Sequence, residues 1–64
     1  MNIKELENKV KNLKERRERI REFISRNESK PEMFDLVNIS KGQSIELLGW
    51  ISYVQGLIKE LKGE

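Results

Sequence analysis

The chain lacks the residue types that most often stabilise very small proteins. It has 64 residues, no cysteine and no histidine. A chain of this length buries only about 60% of its unfolded surface, so small domains commonly add a disulfide, a metal ion or a partner subunit. Without cysteine and histidine, disulfides and the usual zinc sites are excluded. Oligomerisation is the remaining device, and we expect no metal and no cofactor.

The same absences bear on catalysis. There is no cysteine nucleophile and no histidine to act as a base near pH 7. The sequence contains neither a glycine-rich phosphate loop after a strand nor a G-x-S-x-G motif. Most carboxylates fall at predicted exposed helix positions with basic neighbours. We therefore predict that the protein is not an enzyme.

Long apolar runs and targeting signals are also missing. The most apolar stretch, residues 45–58, includes Glu46 and Gln55 and is too short and too polar to span a bilayer. The N-terminus has no positively charged segment followed by an apolar one, so we expect a cytoplasmic protein without a membrane span.

The first half of the chain has the pattern of one long helix. Neither glycine nor proline occurs in residues 1–30, and Asn2 with Glu5 forms a possible capping box. Apolar residues then follow heptad spacing, which is typical of a coiled-coil seam; they are Ile3, Leu6, Val10, Leu13, Ile20 and Ile24. We predict a helix over about residues 2–27.

Arg17 interrupts this seam at an a position. One interpretation is that its aliphatic stem packs while the guanidinium reaches water. The other is that a polar residue in the core sets register or oligomeric state, with Glu46 or Asp35 as a carboxylate partner.

The middle of the chain contains turn and start signals. Residues 25–30 are polar and Pro31 suits the first position of a helix. We predict a short helical turn over about residues 31–37, with an extended piece at 36–39 as the alternative. Ser40 and Gln43 form a second possible capping box, so the second long helix is predicted over about residues 41–62.

The second predicted helix has a wider apolar face than the first. Its seam is widened on both flanks, and a two-helix hairpin cannot cover all of it. We predict that this face is a protein interface; its residues are Leu47, Leu48, Trp50, Ile51, Tyr53, Val54, Leu57, Ile58 and Leu61. Gly49 and Gly56 lie away from this seam, where they either permit close approach of another helix or face solvent.

Charge is distributed unevenly over a net charge of +2. Residues 1–30 carry ten Lys and Arg against six Glu, and residues 31–64 carry three Lys against five acidic residues. The basic cluster could contact nucleic acid; its candidate residues are Lys14, Arg16, Arg17, Arg19 and Arg21. No aromatic residue interleaves with them for base stacking, so a solvated helix face is the competing interpretation.

These patterns together predict an all-α fold with a single domain over residues 1–64. The domain is an antiparallel helical hairpin, two copies of which pair into a four-helix bundle. The predicted function is that of a small protein-interaction module, a homodimeric adaptor or regulator that binds a larger protein through the second helix. The alternatives are a nucleic-acid-binding dimer and attachment to a membrane surface through Trp50, with Lys59 and Lys62 at the headgroups.

Overall fold

A computed structural model describes residues 2–63 of the chain as two long helices joined by a short turn. Helix α1 spans Ile3–Asn27, a 3₁₀ turn spans Pro31–Met33, and helix α2 spans Phe34–Lys62. The described chain is all-helical, as the heptad spacing predicts.

Helix α1 begins and ends at local signals. The Asn2 side chain accepts a hydrogen bond from the Glu5 backbone N–H at 2.8 Å, which satisfies one free amide of the first turn. At the other end the Glu28 N–H donates to the Ile24 carbonyl, and the Asn27 side chain donates to the Phe23 carbonyl. These bonds close the last turn at the polar segment where the sequence predicts an end.

Helix α2 starts earlier than the sequence indicates. The predicted start near residue 41 is wrong, and so is the extended alternative at 36–39, because the helix runs without a break from Phe34. Ser40 is a half-buried residue inside this helix, where it cannot cap a new one. Val37 is only 4% exposed. Its burial extends the packed part of α2 by about one turn before Ser40, which the possible capping box of Ser40 and Gln43 does not reveal.

Gly63 ends α2 in the left-handed conformation, with φ of 76°. Its N–H donates to the carbonyls of Glu60 and Lys59, a hydrogen-bonding pattern that glycine makes possible at a helix end. Lys59 and Lys62 lie in the last turn, where cations interact favourably with the helix dipole.

The two helices pack against each other along most of their length to give a thin rod. The core is concentrated at the end away from the turn, where Leu6 and Val10 of α1 meet Ile51 and Val54 of α2. The Cα atoms extend over 48 × 16 × 14 Å, with a radius of gyration of 14.7 Å against about 10.7 Å for a compact domain of this length. Two helices alone therefore leave much of their surface uncovered.

Candidate interaction surface

A polar contact interrupts the apolar seam near the middle of the hairpin. The Arg17 guanidinium Nε donates to the Ser44 carbonyl oxygen on α2 at 3.2 Å. Ser44 is 7% exposed, and its small side chain leaves room for the arginine stem. The predicted carboxylate partners Glu46 and Asp35 form no ion pair with Arg17 within residues 2–63, so a backbone carbonyl takes that place.

A groove follows the interface of the two helices on one side of the hairpin. We call this the Trp50 groove; it has a volume of about 430 Å³, and its lining residues are Lys9, Leu13, Arg16, Ile20, Gln43, Glu46, Leu47, Trp50 and Val54. A second concavity continues it toward the turn and adds Arg19, Phe23 and Ser40. The floor is apolar, while charged side chains stand on the rims.

Helix α2 carries a second heptad seam, one residue before the seam that packs on α1. Its members recur at alternating steps of three and four; they are Leu36, Ile39, Gln43, Glu46, Trp50, Tyr53 and Leu57. All are exposed except Leu57, which is half-buried. A shift of one residue rotates a position by about 100° around the helix, so this seam faces out along the Trp50 groove.

Two aromatic rings form the most prominent part of this second seam. Trp50 is 54% exposed and Tyr53 is 58% exposed. Their ring centroids lie 6.2 Å apart at an interplanar angle of 76°, an edge-to-face arrangement that is favourable for aromatic pairs. The two rings together form an exposed aromatic patch on α2.

The structure divides the predicted interface residues into three groups. Leu47, Ile51 and Val54 are buried, so their packing already serves the hairpin. Leu57 and Ile58 are half-buried against the core. The remaining four are exposed and include one, Leu48, on the flank away from the groove; they are Leu48, Trp50, Tyr53 and Leu61.

Other residues of the Trp50 groove were not singled out by the sequence. Phe23 on α1 and Gln43 on α2 line the concavity that continues the groove, and Ile39 belongs to the second seam of α2. The available signal was the second three-and-four repeat, which becomes visible once α2 is extended back to Phe34.

The five predicted nucleic-acid contacts do not form one face. Arg16 and Arg19 lie along the Trp50 groove. Arg17 points into the hairpin. Lys14 and Arg21 lie on the opposite side, where Arg21 pairs with Glu18 at 3.8 Å.

The recurring glycines leave open space around them. A Cβ atom added at Gly42, Gly49 or Gly56 would meet nothing within 4 Å. No helix of the same chain therefore approaches these three positions, and the close approach considered from the sequence does not occur within the hairpin.

Comparison of the chain with protein-family models, with curated proteins and with solved structures finds no match. Over residues 2–63, neither helix contains a segment both long enough and apolar enough to cross a membrane.

Proposed function

We propose that this protein is a helical interaction module that associates with other helices, as a homo-oligomeric adaptor or regulator, through the Trp50 groove and the second seam of α2. The observation that supports the proposal most is the exposed Trp50–Tyr53 pair beside an apolar groove. Tryptophan and tyrosine are enriched in the residues that dominate binding energy at protein interfaces.

The amount of uncovered surface supports the same proposal. The chain exposes 5127 Å², whereas a compact monomer of 7.6 kDa exposes about 4,300 Å². The difference of roughly 800 Å² equals the area that one partner buries in a standard interface. Packing a helix along the groove would remove this excess from water.

Trp50→Ala tests the proposal against a matched substitution on the other flank. Ile45 is 71% exposed and lies on the opposite side, so Ile45→Ala removes an exposed apolar side chain without touching the groove. We expect Trp50→Ala to weaken assembly in sedimentation velocity over a wide concentration range, and Ile45→Ala to leave it unchanged. Equal behaviour of the two variants would contradict the assignment of the interface to the Trp50 side.

A second readout addresses a partner other than the chain itself. A photo-cross-linking amino acid at position 50, introduced in cells that make the protein, should capture a bound chain, including another copy. The same group at Glu22, an exposed position on α1, serves as the control. If position 50 captures no more than position 22 does, and the purified chain stays monomeric, the proposed function fails.

The nucleic-acid alternative needs a continuous basic face. The candidate cations point to different sides of the hairpin, and Arg17 is engaged with Ser44, so the geometry favours the interaction module. Binding to single-stranded or duplex DNA or RNA that falls steeply with salt, and that is lost on Arg16→Gln with Arg19→Gln, would reverse this order. Membrane attachment as predicted would place Trp50 and Lys59 at the same surface. Lys59 lies about half a turn from Trp50 around α2, which places its charge away from the indole.

A further inference from the structure

We propose that the Trp50 groove is filled by α2 of a second copy of this chain, in a two-fold dimer whose axis runs parallel to the helices and which pairs Arg16 of each subunit with Glu46 of the partner subunit. This inference rests on the proposed function and names its partner and its arrangement.

The first step is the separation of charge on α2. Its acidic residues Asp35, Glu46 and Glu60 fall within about 40° of one another around the helix axis, and Glu46 lines the Trp50 groove. Its basic residues lie on the other side, where Lys41 lines the opposite concavity and Lys62 pairs with Glu7. Glu46 is therefore the acidic residue that α2 places on the groove.

The second step is the opposite charge on α1. Lys9 and Arg16 line the same groove from the other rim, and Arg19 lines the concavity that continues it. Within residues 2–63, neither Arg16 nor Glu46 takes part in an ion pair, although both line one groove. The basic rim of one copy and Glu46 of another are thus complementary and available.

The third step is register. The Arg17–Ser44 hydrogen bond shows which residues of α1 and α2 lie side by side along the hairpin. Arg16 and Glu46 therefore lie at nearly the same height along the helix axes. A two-fold axis parallel to the helices preserves the height of every residue and places α1 beside α2 of the partner subunit. Arg16 then faces Glu46 of the partner subunit, and the same pair forms twice.

The other way to stack the two grooves uses an axis perpendicular to the helices. That axis places α1 on α1 and brings the two copies of Arg16 together, which is repulsive. The size of the surface also fits a dimer, because the exposed area in excess of a compact monomer, roughly 800 Å², matches the area per partner of a standard interface.

Charge reversal tests the arrangement on the full chain. Arg16→Glu alone and Glu46→Arg alone each create two repulsive contacts, so each should raise the dissociation constant about tenfold or more. The double variant R16E/E46R should recover wild-type affinity. Lys41→Glu and Glu22→Arg change the charge equally at exposed positions away from the groove and should leave the dimer unaffected.

Mixing the two single variants separates pairing between chains from pairing within one chain. The Arg16→Glu chain and the Glu46→Arg chain should form a mixed dimer of near wild-type affinity, detected by native mass spectrometry with a mass tag on one chain. If the double variant recovers affinity and the mixture does not, the pair is intramolecular and the inference is overturned.

Two further outcomes would also overturn it. A dimer that tolerates both single reversals has a different arrangement, although the interaction module itself would stand. A wild-type chain that stays monomeric up to roughly 1 mM, where even weak pairs form, excludes the second copy. The proposed function would then be decided by the cross-link at position 50.

Discussion

Replacing the three mid-helix glycines with alanine should stabilise the protein. Gly42, Gly49 and Gly56 recur every seven residues on the back of α2, and an added Cβ meets nothing within 4 Å. Each glycine in a helix interior costs about 1 kcal/mol relative to alanine. Successive sites lie about 10.5 Å apart along the helix, far enough for the effects to add.

The triple variant should therefore gain about 3 kcal/mol, which raises the unfolding temperature by roughly 12–24 °C for a domain of this size. Circular dichroism during thermal and urea unfolding, repeated at several protein concentrations, separates folding from association. Gly63→Ala is the matched control with the opposite sign, because φ of 76° is unfavourable for alanine and a left-handed residue costs about 1–2 kcal/mol.

A loss of stability or of assembly on Gly42→Ala or Gly56→Ala would refute this reasoning. Such a result means that another helix packs against the glycines closely enough for a methyl group to clash. The back of α2 would then be an interface, and the Trp50 groove could not be the sole contact surface of the molecule.

Three further substitutions test the interior and the ends. Ile51→Ala, at a core position that is 5% exposed, should lower the free energy of unfolding by about 3 kcal/mol in urea titration, and a cost below about 1 kcal/mol would contradict the assigned core. Arg17→Ala should cost about 1–2 kcal/mol, whereas Arg17→Met should stay near wild type in the same titration because an apolar stem still packs there; equal losses would show that the hydrogen bond to Ser44 dominates. Asn2→Ala should cost about 1 kcal/mol, seen as faster amide hydrogen exchange in the first turn of α1, and unchanged exchange would argue against the cap.

Helix α1 could be predicted closely because its signals are local and agree with one another. The Asn2 cap, the heptad spacing and the polar segment after residue 27 act within a few residues of the positions they determine. The predicted bounds of about 2–27 compare with Ile3–Asn27 in the structure. Over the described residues, the ion pairs are Arg21–Glu18 within α1, at i,i+3 spacing, and Lys62–Glu7 between the two helices.

The start of α2 could not be predicted because its local signals oppose the packing. Ser40, Gly42 and Gln43 together resemble a helix start, and glycine lowers helix propensity. Val37, Ser40 and Ser44 nevertheless continue the seam that faces α1. Tertiary contacts between α1 and α2 outweigh the low helix propensity of a few residues. Because those contacts involve both helices, the sequence pattern of α2 alone does not reveal them.

The sequence was sufficient to predict that α2 carries an uncovered apolar surface. It was not sufficient to predict on which side of α2 that surface lies. The sequence shows that α2 has more apolar surface than α1 can cover, but Leu48 and Trp50 widen its stripe in opposite directions. Only the position of α1 decides that Trp50 borders the groove while Leu48 does not. The second seam is clear once Val37 and Leu47 are known to face inward.

The polar residues within the second seam restrict what can fill the groove. Glu46 lies between Gln43 and Trp50 in this seam, and covering it with an apolar helix would leave a carboxylate without a partner, at a cost of several kcal/mol. An occupant must therefore bring a cation to the level of Glu46 and an anion to the level of Arg16. A generic amphipathic helix does not meet both conditions, and this requirement provides selectivity against wrong partners. A second copy meets both through symmetry alone, which is why the charge on the rims argues for self-association more strongly than the apolar area does.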